Sequence, residues 1–337
     1  MRFIGVDLHS NSLTACYLDP NGSEEMCTFD LKELMKFQAS LGSRDRLAVE
    51  ATGNTRHFVG QVKSLVSQVV VVNPSQFEVI RKSVKKTDRH DARMLALFLS
   101  KEMLPESRLK EPAHAQLNSV AQTRDKLVKL RTTLINKIHA LHVACGIKSK
   151  KSSFSSRRGL QAVLSRPWDE LIRAELGIIV NQIGSLNEGI KQLNQQLTEH
   201  GRRLAGHRNL TSIKGIGDKS AAVLLSVIGD VSDFAGEDKL ASYFGLVPRV
   251  ANSNETVHHG RITKRGSKLG RTTLVQCTLV AVRYCPYLKN FYERIKTKKG
   301  AGKAIIATAR KFLGIIYRTL KNDWVFADFP NFVLAED

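Results

Sequence analysis

The hydrophobic pattern divides the chain into a mixed α/β stretch followed by two longer helical ones. Arg2-Phe-Ile-Gly-Val-Asp7 is an apolar run closed by an acid, and it predicts an opening strand over Arg2–Leu8. Leu13–Leu18 and Glu25–Phe29 alternate like antiparallel strands, with Asp19-Pro-Asn-Gly22 supplying turn residues between them. Leu31–Leu41 is spaced like a helix. Arg46-Leu-Ala-Val-Glu50 is a second short run closed by an acid, and helical spacing follows from Thr55 to Ser67. Val69-Val-Val-Val72, inside the strand Gln68–Val72, is the β-branched run of a strand covered on both faces, and Asn73-Pro74 closes it. Asp88–Lys101 predicts an amphipathic helix with Ala92, Leu95, Ala96 and Leu99 on one stripe.

Pro105 and Pro112 mark a boundary. From His114 to Cys145, apolar residues recur at helical spacing: Leu117, Val120, Leu127, Leu130, Leu134, Ile138 and Leu141. A polar break at Lys148–Gly159 precedes a second long helical stretch from Pro167 to Arg203. The two stretches predict an antiparallel helix pair or coiled coil, an arm suited to oligomerisation or spacing. The rest is helical and basic. The expected division is an α/β domain over residues 1–104, a helical coiled-coil arm over 105–206 and a mostly α-helical basic domain over 207–337. No repeat of fixed period is visible.

Composition then narrows the class. Of 337 residues, 42% are hydrophobic and 25% charged, ordinary for a globular protein. No stretch approaches the ~20 apolar residues of a membrane span, and the N-terminus enters a strand directly, so neither a membrane nor a secretory leader is expected. The five cysteines form no CxxC pair and read as small core residues of a reducing compartment, the cytoplasm. Lys and Arg number 52 against 31 Asp and Glu, a formal net charge of +21. Between Arg261 and Lys321 there are sixteen Lys/Arg and a single acid, Glu293. Such a surface attracts polyanions, nucleic acid first among them.

Four acids stand out against that basic background. Asp7 and Glu50 each close a strand. Asp88 and Asp91 lie three apart at the start of one helix and share a face, where like charges repel. Divalent cations reverse that penalty, and two of them about 3.5–4 Å apart assist phosphoryl transfer. Taken alone, Asp88 also suits a helix N-cap, Asp91 a first-turn acid and Glu50 an ordinary surface acid.

The motifs Ile4-Gly-Val-Asp7, Val49-Glu-Ala-Thr-Gly53, Val72-Asn-Pro74 and Lys86-Thr-Asp-Arg-His-Asp-Ala-Arg93, in this order, resemble those of the DEDD transposases of bacterial insertion sequences. These are insertion-sequence family 110, related to the Piv-type DNA invertases. The resemblance covers nearly the whole chain. It implies a RuvC-like, RNase H-type fold for the N-terminal domain, and a tetrad of Asp7, Glu50, Asp88 and Asp91 holding Mg²⁺ or Mn²⁺. It also implies double-stranded DNA as substrate, a structured guide RNA from the element, and a dimer or tetramer in the bacterial cytoplasm.

Toward the C-terminus, Thr211-Ser-Ile-Lys-Gly-Ile-Gly-Asp-Lys219 precedes the apolar run Ser220–Ile228. It resembles a helix-hairpin-helix element, in which Gly215 and Gly217 let backbone N–H groups approach a phosphate without Cβ interference, with Lys214 beside them. A plain tight turn is the simpler reading. Leu240-Ala-Ser-Tyr-Phe-Gly-Leu-Val-Pro-Arg249 leads into the polar stretch Val250–Gly260. Family resemblance makes Ser253 the nucleophile and implies a 5′-phosphoserine link, although Asn252-Ser-Asn-Glu255 stands where the family often has Ser-Gly. Ser242 is the rival hydroxyl and reads as helix packing. Arg249, Arg261, Lys264, Arg265, Lys268 and Arg271 are expected at phosphates, the last five on a basic loop entering a helix. A second basic cluster, Lys296–Lys303, has Phe291 and Tyr292 beside it.

The expected function is DNA cutting and rejoining by an insertion-sequence recombinase. A Holliday-junction-type nuclease needs the four acids and no serine, and a binding scaffold needs neither. A sugar-kinase-like ATPase shares the strand-end acid, but His9-Ser-Asn-Ser12 stands where its Gly-rich phosphate loop belongs.

Overall fold

The structure is a computed structural model that describes residues 1–74, 76–77, 87–253 and 256–336; from 250 to 259 the description is of the backbone. Lys86, Asn254 and Glu255 of the motifs lie outside the described residues. The chain divides into two compact units, Met1–Leu109 and Lys110–Asp337.

The first unit is built on strands β1 (Phe3–Leu8), β2 (Ser12–Leu18), β3 (Glu24–Asp30), β4 (Arg46–Glu50) and β5 (Gln68–Val72), with helices α1 (Leu34–Ala39), α2 (Thr55–Val62) and α3 (Asp88–Ser100). The sheet order is β3-β2-β1-β4-β5. β1–β2 and β2–β3 are antiparallel; β1–β4 and β4–β5 are parallel. Alternation sorts the side chains. Ile4, Val6, Leu13, Ala15, Leu47 and Val49 pack with Phe37, Phe58 and Val62 on the α1/α2 face. Cys16, Ala48, Val70 and Val72 face Ala92, Leu95, Ala96 and Leu99 of α3. Both faces are thus covered, which is why the central strands are apolar throughout. α1 and α2 end earlier than their sequence spacing predicts, at Ala39 and Val62.

The second unit opens with α4 (Pro112–Ala144), α5 (Arg157–Leu164) and α6 (Glu170–Gly201). Buried Leu176, Ile179, Ile183, Leu186 and Ile190 recur at alternating steps of three and four along α6. Arg124 donates to Asn194 at 3.1 Å, Arg131 to Asn187 at 2.9 Å, and Lys137 pairs with Glu175 at 2.9 Å. As one number rises the other falls, so α4 and α6 run antiparallel. The polar break at Lys148–Gly159 does interrupt the pair, and Phe154 within it joins residues just beyond it as a cap. Phe154, Leu160, Val163 and Trp168 bury themselves against Ile138 and Leu176, and the Trp168 indole donates to Val163 O at 2.7 Å.

Then follow α7 (His207–Ser212), α8 (Asp218–Ile228), α9 (Glu237–Tyr243), the ribbon β6 (Pro248–Ser253) and β7 (Thr256–Ile262), α10 (Lys268–Tyr284), α11 (Pro286–Lys299), α12 (Ala301–Lys321) and the ribbon β8 (Phe326–Asp328) and β9 (Val333–Leu334). Their core gathers Leu224, Ile228, Leu240, Phe244, Leu274, Phe312, Ile316 and Phe329. The region is mostly helical as expected, but residues 248–253 and 256–262, from the expected polar stretch and the start of the basic loop, form a strand pair. No helix among the described residues is long and apolar enough to cross a membrane. Of the cysteines, Cys16, Cys277 and Cys285 are buried as expected, whereas Cys145 is exposed beyond the end of α4 and Cys27 is partly so.

Charge is shared unequally between the units. Met1–Leu109 has 15 Lys/Arg against 13 Asp/Glu, and Lys110–Asp337 has 37 against 18.

Candidate functional site

The carboxyl ends of β1 and β4 collect acids because of a close contact one turn of strand away. A Cβ on Gly5 would lie 2.0 Å from Ala92 O and 2.4 Å from Ala96 N, so a glycine is what lets α3 lie against β1. Asp7 is two residues on, on the same side of the strand, and so meets the first turn of α3. Thr87 caps that helix, its hydroxyl accepting from His90 N at 3.2 Å. The capping role open to Asp88 in the sequence therefore belongs to Thr87, and Asp88 and Asp91 stand inside the first turn. β4 lies parallel to β1 with Val49 opposite Val6, which ends it at Glu50, level with Asp7.

His9 completes the cluster. Its Nε2 lies 3.3 Å from Asp7 Oδ2 and 3.3 Å from Asp88 Oδ2, and the donor atoms of the three lie within 4.8 Å of one another. The loop that carries His9 is tied to the loop after β4, since Asn54 Nδ2 donates to His9 O at 2.7 Å. That second loop is tied in turn: Thr55 Oγ1 donates to Glu50 O at 2.7 Å and accepts from Thr52 N at 2.8 Å. Asn54 and Thr55, directly after the Val49-Glu-Ala-Thr-Gly53 motif, thus tie both loops beside the acids. In the sequence His9 served only to set aside a phosphate loop. Its position two residues past a strand-end acid was the signal that could have found it.

The charges in the cluster act on one another. Burial raises the Asp7 carboxyl above its ordinary value; His9 opposes this, and Asp88 and Asp91 raise it further. Burial raises Glu50 likewise, with Asp7 and Asp91 adding to it. Asp7 therefore lies in the field of Asp88 and Asp91, and Glu50 in that of Asp7 and Asp91. The donor set fits a divalent cation: octahedral ligands about 2.1 Å from Mg²⁺ stand about 3 Å apart along an edge, close to the 3.3 Å separations here.

In the second unit, α7 and α8 flank the Lys214–Gly217 turn. Gly215 has φ +113°, and a Cβ there would lie 2.9 Å from Ala281 N, so this residue packs on α10. Gly217 is the N-cap residue of α8 and is open, with nothing within 4 Å of a Cβ position. Lys214 is exposed, its Nζ 5.3 Å from the Tyr284 ring centroid.

Ser253 pairs with Thr256 and so sits at the far end of the β6–β7 ribbon. The near end is clamped. Thr263 N donates to Val247 O at 2.9 Å and Lys264 N to Gly245 O at 3.1 Å. Gly245, φ +67°, and Gly266, φ +94°, are positions where a Cβ would lie 2.0 Å from Arg265 O and Tyr243 O. Arg271 reaches Phe244 O, Arg265 O and Gly266 O at 3.1, 3.4 and 3.2 Å, so its guanidinium holds the ribbon's base. Arg249, Arg261, Lys264, Arg265 and Lys268 are exposed around it. Ser242, expected to be packed, is exposed.

Residues 207–293 match the family model described as the transposase IS116/IS110/IS902 family, and residues 4–144 match a model for DEDD transposases of IS110. The first span contains Ser253 and the second all four acids. The chain is 25% identical over 291 residues to a probable family 20 transposase of Pseudomonas aeruginosa, covering 82% of this chain and 84% of that protein. It is 25% identical over 334 residues to the transposase for insertion sequence element IS1111A of Coxiella burnetii, covering 95% and 90%. It is 28% identical over 343 residues to the pilin gene-inverting protein of Moraxella lacunata, covering 96% and 97%.

Proposed function

We propose that this chain, which belongs to the IS110 family of transposases and is a DNA-recombining enzyme, cuts and rejoins DNA through Ser253, assisted by a carboxylate cluster that would hold a divalent metal. The observation that carries the reading is the meeting of Asp7, His9 and Asp88 at the end of β1, with Glu50 and Asp91 in their field. Asp7, Glu50, Asp88 and Asp91 would hold Mg²⁺ or Mn²⁺, with His9 as an added donor. A divalent ion bound there would polarise the phosphate and offset its developing charge. The strand order, with acids at the carboxyl ends of parallel β1 and β4, supports a RuvC-like reading of residues 1–104.

Ser253 Oγ loses its proton and forms the bond to phosphorus. The P–O3′ bond breaks and the strand's 3′ oxygen takes up a proton. Attack by another strand's 3′ hydroxyl reverses the step and releases the serine. Lys214, Arg249, Arg261, Lys264, Arg265 and Lys268, with the Gly215–Gly217 turn, hold the duplex by its phosphates; Arg271 keeps the ribbon in place. A structured guide RNA is the further polyanion for the basic unit. Residues 207–337 act as the strand-transfer domain. The arm, residues 105–206, joins copies into a dimer or tetramer; Leu171 and Ile178, seven apart on α6, are 85% and 72% exposed. The setting is the bacterial cytoplasm.

The test is cleavage of plasmid carrying the element's ends, with products resolved under denaturing conditions before and after protease. The intact protein is expected to leave a protease-sensitive protein–DNA adduct, lost in Ser253→Ala and in Asp7→Asn. Full-rate hydrolytic cleavage by Ser253→Ala would replace this reading with a resolvase-type nuclease.

A further inference from the structure

The α11–α12 hairpin carries a row of rings and cations outside the core. Leu288, Ala304, Phe312 and Ile316 seal the interior beneath it. Beyond them, Lys311 Nζ of α12 lies 4.8 Å from the ring centroid of Tyr287 and 4.7 Å from that of Phe291, one turn apart on α11. Arg294 of α11 lies 5.5 Å from the Phe291 ring centroid. Phe332 meets Tyr287 edge-on at 5.5 Å. Tyr284, which closes α10 just before, is flanked by Lys214 from the α7–α8 turn. Tyr284, Tyr287 and Phe332 remain 52%, 48% and 40% exposed, so rings of this size are not there to fill the interior.

Exposed rings set among cations, in a segment with sixteen basic residues and one acid, match a ligand with flat apolar faces on an anionic backbone. A duplex hides its base faces by stacking; an unpaired strand presents them. We propose that the face formed by Tyr284, Tyr287, Phe291 and Phe332 binds single-stranded DNA, with bases stacked on the rings and Lys311, Arg294 and Lys214 at the phosphates. The cations already lie against ring faces, so a base entering the row displaces them outward, toward the backbone of the strand. None of the site's residues belongs to the acid cluster or is Ser253. It rests on the recombinase reading only because unpaired DNA arises where duplexes exchange strands.

The test uses the full chain, titrated with a fluorescent oligothymidylate, a duplex of equal length and an oligouridylate. Tyr287→Ala removes a half-exposed ring, whereas Phe332 also packs on the buried Phe326 and Phe329, so Tyr287→Ala is the primary variant and Phe332→Ala is read with its unfolding curve. Each stacked base is worth about 1–3 kcal/mol, so each variant is expected to bind the oligothymidylate about 5- to 150-fold more weakly, with duplex affinity within about twofold of the parent. Lys311→Gln should weaken both. A strand carrying 5-iododeoxyuridine is expected to photo-crosslink to peptides containing Tyr287 or Phe332. Equal weakening on both DNAs, no weakening on either, loss confined to the oligouridylate, or a changed sedimentation coefficient in the two variants would each overturn the stacking face. Failure of the parent to bind any DNA would instead undo the recombinase reading.

Discussion

Asp7 and Asp45 lie at opposite ends of the same strand pair and are tuned in opposite directions. Asp45 is buried and accepts from Arg2 N at 3.0 Å, from Arg2 NH2 at 2.6 Å and from Gly42 N at 2.9 Å. Burial acts against its charged form, but these donors outweigh burial and hold its carboxyl below the ordinary value. Its stabilising effect is complete above the unfolded-chain value of about 3.9 and is lost as pH falls through the lower folded value. Asp45→Asn is expected to cost about 3 kcal/mol in urea unfolding at pH 7, by leaving the Arg2 guanidinium without its anion. The deficit should shrink in acid. Asp7 has the opposite sign. Its folded value is raised, so its ionised form opposes folding, and this cost grows as pH rises through the window above about 3.9. Without divalent ions, Asp7→Asn is expected to melt higher than the parent at pH 7, with the gain vanishing below pH 4 and cleavage lost throughout. A lower melting point for Asp7→Asn at pH 7 would contradict the crowding of acids. The acids were legible because each ends or opens an element; His9 was not, since its partners come from β1 and α3, and only folding sets Asp88 beside it.

At the scale of elements, Gly5 decides where α3 lies. Gly5→Ala puts a methyl into the backbone of Ala92 and Ala96, neither of which can swing away as a side chain can. Thermal unfolding should show a loss of about 2–4 kcal/mol, and Mn²⁺ binding should weaken because Asp88 and Asp91 move with the helix. The unit's strands were readable because apolar runs and alternation have no competing explanation there. The β6–β7 ribbon was not: its stretch from Pro248 to Ile262 is polar and basic, without an apolar face, and its shape comes from the clamp at Gly245, Gly266 and Arg271. The α5 cap escaped for a related reason. Its serines and lysines dominate the stretch, while the few residues that bury themselves, Phe154, Leu160 and Val163, are too sparse to read as a period.

Over the whole molecule, the surplus of positive charge belongs to Lys110–Asp337. Binding to random duplex should therefore depend steeply on salt. If about 6–10 phosphates are neutralised, affinity is expected to fall about 10³- to 10⁵-fold between 50 and 200 mM salt. Anisotropy titrations across that range measure the slope, and a flat response would mean that the basic surface is not the contact. The same slope is expected for Asp7→Asn, since the acids lie in the near-neutral unit. This unequal division of charge has a genetic consequence. A copy that has lost Asp7 keeps nearly all of the surface that finds DNA, so it should occupy the same ends as an intact copy and stall them. Co-expressed with the parent, Asp7→Asn is expected to behave as a dominant inhibitor of element movement, while a copy stripped of the basic residues of α11 and α12 should be recessive.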